Sequence, residues 1–313
     1  MNTQSDAVLE SSFESSAAAP AVIPAGRRFY WSVRREIWEN RSIYLAPLAV
    51  AVLILIGCLI SLIKVRTHSA DLATLSPMQQ ALSKQVVVGT YQAIAALLML
   101  TTVIVAVFYC LDALHGERQD RSILFWKSLP VSDLMTVLAK ATIPFVVLPV
   151  VAFAIAVVTQ ILMLLLGSVV LFGTGLNTIA IGEHASLFQG WLALMYHLVA
   201  IQSLWYAPIY GWLFVVSAWA RRAPLLWATL PLLAISIVEK IAFHTSYFGE
   251  MLGRRIGGHA EGAAFVMGNM SVDPLSQLSP SHFLMSPGLW IGLAVAVVFL
   301  AAAVQMRRYR GPM

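Results

Sequence analysis

Six stretches of this chain are apolar on every side for 18 residues or more: 43–63, 86–111, 141–172, 189–220, 223–242 and 289–306. A bilayer's hydrocarbon core needs about 20 apolar residues as helix, since each residue rises about 1.5 Å across about 30 Å. A membrane barrel would instead alternate apolar and polar with period two over about ten residues. Runs such as ALLMLTTVIVAVFY show no alternation, so the expected fold class is all-α: a polytopic membrane protein with six transmembrane helices. Composition agrees, with 59% hydrophobic and 11% charged residues, against about 25% charged in an ordinary soluble domain. The third and fourth runs exceed what the core requires, which predicts tilt or kinking. Pro144, Pro149 and Pro208 each lack a backbone donor and mark the kink points.

Lysine and arginine placement predicts orientation. Fourteen of the 20 basic residues fall before the first span, between spans 2 and 3, between spans 4 and 5, and in the tail. Six (Lys64, Arg66, Lys84, Lys240, Arg254 and Arg255) fall on the other side. Both termini are then cytoplasmic. The net charge of +5 is mostly this asymmetry and gives no reason to expect a nucleic-acid partner.

Residues 1–26 are Ser/Ala/Pro-rich, have no periodicity, and read as a disordered cytoplasmic tail. The six-span unit occupies 27–313. It begins with RRFYWSVRREIWEN at 27–40, where Phe29, Tyr30, Val33 and Ile37 share one helical arc. Trp31 and Trp38 lie to one side and arginines on the flanks. That is the pattern of an amphipathic helix lying in the headgroup plane.

Loop 2–3, DALHGERQDRSILFWKSLPVSDLMTVLAK (112–140), is the cytoplasmic loop long enough for structure of its own. Glu117, Arg118, Asp120 and Arg121 put mixed charge on a first turn, ahead of the knob Ile123–Trp126. Pro130 ends that helix, and Ser132 or Asp133 can cap the next. Exposed aromatics that fill a groove, with charges that fix register, suit a docking element. Anchoring of Phe125 and Trp126 at the membrane interface is the simpler alternative.

An amphipathic helix, six spans and a charged, aromatic loop between spans 2 and 3 together resemble the type-2 ATP-binding-cassette (ABC) transporter permeases. The string GERQDRSILFWKSLPVSD is similar to the coupling-loop region of bacterial members. The resemblance covers about 27–313 in architecture but only about 115–140 in motif. It implies that 27–40 is an elbow helix and that residues 117–129 form a cytoplasmic coupling helix seated on an ATPase subunit. Glu117, Arg118, Asp120, Arg121, Phe125, Trp126 and Lys127 are then the ATPase contacts. It also implies export, and short extracytoplasmic helices in loop 5–6 (243–286), around 259–267 and 273–284. The family supplies no general substrate-binding motif.

None of the five lysines follows a glycine, so no Walker A loop is present to cradle phosphates. The resemblance therefore requires a separate ATPase subunit, two copies per complex, carrying ATP and Mg. By symmetry a second permease chain completes the pathway as a homodimer in a bacterial inner membrane. The chain itself carries no cofactor. An enzyme is disfavoured: no His precedes Glu, and no Gly-x-Ser-x-Gly elbow occurs. The rival is a secondary transporter or channel working without an ATPase, but such proteins place ionisable groups near the midplane, and these spans are nearly free of charge.

Glu239 and Lys240 are the exception. They lie about 25 Å along span 5 and are candidates for an outer gate, against the simpler reading that Lys240 snorkels to the headgroups. Gln160, His197 and Gln202 read as interhelical hydrogen-bonding groups. His244, His259 and His282 lack ligand-like spacing, so no metal site is expected. Cys58 and Cys110 lie at different depths and are not expected to bridge.

Overall fold

A computed structural model describes residues 24–67, 77–120, 132–170, 184–257 and 280–309, with side chains left undescribed at 77–93 and 184–187. Among the described residues the chain is helical, with no strand. Five helices are long and apolar enough to cross a membrane, and a bent pair makes a sixth. The molecule is a multi-pass membrane protein.

Helix α1 (Ala25–Glu39) is amphipathic and starts at the edge of the segment expected to be a disordered tail, most of which lies outside the described residues. Val33 and Ile37 pack on the core while Tyr30, Trp31 and Trp38 stay exposed. The Arg34 guanidinium lies 5.0 Å from the Trp31 ring centre and 4.6 Å from that of Trp38. Such stacking keeps the charge at the surface while its stem covers apolar area.

The spans follow: α2 (Ser42–Thr67), α3 (Pro77–Asp112), then a short α4 (His115–Gln119). Next is α5 (Asp133–Thr142), capped by the Ser132 hydroxyl, which accepts from the Met135 N–H at 3.2 Å. It runs through a π-helical turn, Ile143–Val147, into α6 (Leu148–Val170). Helix α7 (His184–His197) passes through a second π segment, Leu198–Trp205, and breaks at Tyr206 before α8 (Ala207–Trp219), with a 46° bend. Helix α9 (Pro224–Phe243) is the fifth span, α10 (Tyr247–Ile256) and α11 (Pro280–Met285) are short, and α12 (Pro287–Tyr309) is the last span.

Both irregular stretches sit where proline breaks the i→i−4 ladder, as the three kink prolines predict. Pro149 has no N–H to give the Phe145 carbonyl, and the Ser203 hydroxyl donates there instead at 2.7 Å. One π segment thus repairs the other. Gln160 and Gln202 are interhelical partners: Trp191 Nε1 donates to Gln160 Oε1, and Thr102 Oγ1 donates to Gln202 Oε1 at 3.2 Å. The His197 Nδ1 contacts the Ala193 carbonyl of its own helix at 2.7 Å.

Two buried clusters stack along the bundle. One centres on Ile43, Cys110, Leu148, Tyr210 and Phe214, the other on Leu98, Leu198, Ile201, Trp205 and Phe283. Helices α8 and α12 approach closely because Gly211 has no side chain. A Cβ there would stand 3.0 Å from that of Phe299 and 3.2 Å from the Ala296 carbonyl oxygen. By contrast, α2 and α9 leave most of their apolar side chains uncovered, including Leu53, Ile60, Leu233 and Ile237. In water such faces would be costly; in lipid they are the outer wall. Cys58 and Cys110 are free thiols.

Helix α1, α4, the start of α5 and the end of α12 gather at one end of the bundle, which is called the basic end below. The described chain therefore enters and leaves at the same end.

Candidate functional site

At the basic end, side chains from α1, α3, α4, α5 and α12 form one buried ion cluster. Glu36 of α1 is only 2% exposed. Its carboxylate receives Lys140 Nζ at 3.0 Å, Arg35 Nη2 at 2.9 Å and the Tyr109 hydroxyl at 3.1 Å. Lys140 also reaches Glu117 Oε1 at 3.2 Å, and Arg307 Nη2 reaches Glu117 Oε2 at 3.1 Å. The Arg307 Nε lies 3.5 Å from Asp133 Oδ1. Arg35, which also reaches Glu39 at 3.3 Å, Lys140 and Arg307 thus meet the carboxylates of Glu36, Glu39, Glu117 and Asp133. A charge taken from water costs several kcal/mol unless geometry and partners repay it, so removing any one member exposes that cost.

Helix α4 is fixed to the end of α8 by a second set of bonds. The Leu114 and His115 N–H groups both donate to the Ser217 hydroxyl at 3.0 Å. His115 Nδ1 lies 3.2 Å from the Ala220 carbonyl oxygen, and Arg118 Nη1 donates to the Ala218 carbonyl at 2.6 Å. These are the last carbonyls of α8, which have no partner within the helix, and a cation there also suits the helix dipole.

This geometry changes the reading of two residues. Glu117 and Arg118 are buried and bonded within the chain, where the sequence suggests exposed contacts for a partner. Their short helix turns inward because the buried Lys140 and Arg307, and the free carbonyls of α8, need partners. Asp120 is exposed. Arg121, Phe125, Trp126 and Lys127, and with them most of the expected coupling helix, lie outside the described residues.

Glu36, Lys140 and Arg307 are the members that sequence reasoning missed. Glu36 carried a signal. It lies one turn on from Val33 and beside Phe29, at the edge of the apolar arc, a position where a carboxylate needs a buried partner. Lys140 and Arg307 carried none, since a basic residue next to a span has an ordinary role in setting orientation.

At the opposite end the charged groups hold backbone. The Glu239 carboxylate accepts from Thr245 Oγ1 at 3.1 Å and from the Phe248 N–H at 2.9 Å, so it caps the start of α10; Lys240 is exposed. An anion at a helix N-terminus meets both the free N–H groups and the positive end of the dipole. Helix α10 then folds back over the break in span 4. The Tyr206 hydroxyl donates to the Ile256 carbonyl at 2.9 Å. Arg255 stacks 4.1 Å above the Trp205 ring, donates to the Gly288 carbonyl at 3.0 Å, and occupies the space left open by Gly292. Burial lowers the Arg255 pKa from its ordinary value. Of the two segments of loop 5–6 expected to be helical, 259–267 lies outside the described residues, and 273–284 overlaps α11 at its end. Helix α10 was not anticipated.

Among the described residues no group of three or more His, Cys, Asp or Glu is placed to hold a metal. His197 and Ser203 engage carbonyls on different helices, those of Ala193 and Phe145. Comparison with protein-family models gives no match, and neither curated proteins nor solved structures give one. The class that the fold defines is a multi-pass helical membrane protein with an ion-clamped end.

Proposed function

We propose that this chain is the transmembrane permease subunit of an ABC exporter. In this reading the basic end is cytoplasmic, α1 is the elbow helix, and two copies of the chain form the pathway in a bacterial inner membrane. A separate ATPase, two copies per complex, binds ATP and Mg and docks on loop 2–3.

The observation that carries the reading is the ion cluster. Both ends of loop 2–3 are anchored in it, through Glu117 near its start and Asp133 and Lys140 near its end. The same cluster holds α1 through Glu36 and the last span through Arg307. A subunit that displaces the loop therefore displaces α1 and the ends of spans 2, 3 and 6 as one block. Coupling requires a contact whose energy differs between two states, and a block with few internal degrees of freedom transmits such a difference without dissipating it. A secondary transporter has no evident use for this arrangement. The buried charges sit at one end of the spans, away from the midplane where ions and substrate would be exchanged.

The test is co-purification of the full chain, in nanodiscs, with a polypeptide that carries GxxxxGK[ST]. Trp126→Ala and Arg121→Glu are expected to abolish that association and ATP-dependent transport while membrane insertion is unchanged. Transport that proceeds without any ATPase, or association and transport untouched by both substitutions, overturns the proposal.

A further inference from the structure

A cleft of about 560 Å³ opens at the basic end between the starts of α2 and α9 and the end of α3. That volume lies in the ordinary range for small-ligand sites. Its walls are apolar, with Ile104, Phe108 and Leu225 exposed along them, and Asn40, Ser42 and Asp112 at its mouth. Tyr109 forms part of the lining, and its hydroxyl donates to Glu36 behind it.

Three arginines adjoin the lining in sequence: Arg41 lies between the lining residues Asn40 and Ser42, and Arg221 and Arg222 immediately precede the lining residues Ala223 and Pro224. Glu39 adjoins Asn40 in the same way, but Arg35 holds it at 3.3 Å. All three arginines are exposed. The turn that carries two of them is sharp: Ala223 takes a left-handed conformation at φ 47°, and Pro224 opens α9 directly behind it. Against three guanidinium groups the lining supplies one carboxylate, Asp112, which lies over Gly116 in the first turn of α4. An apolar slot that opens beside lipid-facing helices, under an excess of positive charge, matches a molecule with an acyl chain and an anionic headgroup.

We infer that this cleft binds one anionic lipid of the leaflet at the basic end. Its acyl chain lies against Ile104, Phe108 and Leu225, and its phosphate meets Arg41, Arg221 and Arg222. The inference needs only the bilayer and does not rest on an ATPase or on transport. Each basic residue near a membrane surface favours an anionic headgroup by about fivefold, so the three together select strongly over a zwitterionic lipid.

The experiment uses the full chain in nanodiscs of equal phosphatidylglycerol and phosphatidylcholine, each doped in turn with a photoactivatable acyl chain. Phosphatidylglycerol is expected to label the 104–112 and 223–227 peptides at least about tenfold more than phosphatidylcholine. The triple variant Arg41→Gln, Arg221→Gln, Arg222→Gln is expected to remove that preference. Phe108→Trp, which fills the slot without touching the charges, is expected to lower the labelling by both lipids. Equal labelling by the two lipids, or a preference that survives the triple variant, overturns the inference. So does efficient disulfide formation between two copies carrying Phe108→Cys and Leu225→Cys in native membranes, because the face would then be an interface between chains. None of these results bears on whether an ATPase binds loop 2–3.

Discussion

The two ends of the bundle use charge in opposite ways. At the basic end, charged side chains from four helices meet one another around the buried Glu36, Glu117, Lys140 and Arg307, and each of these four shares a partner with another member. At the opposite end, Glu239 and Arg255 meet backbone groups and an aromatic ring, and each tie fastens α10 to a single neighbouring region. One end is a clamp that fails as a unit. The other is a set of separable fastenings, suited to a part that moves while the spans below it remain intact.

The largest expected effect is at the clamp. Glu36→Met removes a carboxylate shared by Lys140 and Arg35 and leaves the buried Lys140 with Glu117 alone, at a cost of about 3–5 kcal/mol. Thermal unfolding in detergent is expected to show a marked fall in Tm, with Lys140→Met similar. The double variant Glu36→Met, Lys140→Met is expected to lose less than the two single losses combined, because it removes charge of both signs. Additive losses would mean that Glu36 and Lys140 do not depend on each other, and the contrast between the two ends would collapse.

A smaller effect is expected at Arg255. Arg255→Gln loses a cation–π contact worth about 0.5–2 kcal/mol. Gly292→Ala reaches the same place from the other side, because a methyl group there collides with the guanidinium. In nanodiscs both are expected to raise amide hydrogen exchange in 247–256 several-fold and to leave exchange at the basic end unchanged. Effects that spread to α1 or to the Arg307 end of α12 would show that the outer fastenings are not separable.

The helices and their breaks were legible because both come from local chemistry: apolar runs too long for any other state, and prolines without a donor. Ser132 as a cap was legible for the same reason. The ion cluster was not. Its members lie as far apart as Glu36 and Arg307, and what sets their role is the burial that five helices create together. Loop 2–3 shows the limit clearly. The pattern at 117–121 marks a charged first turn but gives no sign that Glu117 and Arg118 turn inward while Asp120 stays outside. Helix α10 was missed because Gly249 and Gly253 weaken its propensity. It is held by tertiary ties, beginning with Glu239.

That tie gives the smallest and most discriminating prediction. If Glu239 lines an outer gate, Glu239→Gln should alter transport directly. If it is a cap, the amide oxygen can still accept one of the two hydrogen bonds, from Thr245 or Phe248, and only the charge is lost. A charge at a helix terminus is worth about 0.3–1 kcal/mol, so Glu239→Gln should raise exchange in the first turn of α10 by about two- to fivefold. Glu239→Ala, which loses the acceptor too, should raise it further. A graded series of wild type, Gln and Ala, confined to 247–250, is what a cap produces. A gate carboxylate would instead leave those amides unmoved in both variants, because its charge would act on what passes through and not on the helix above it.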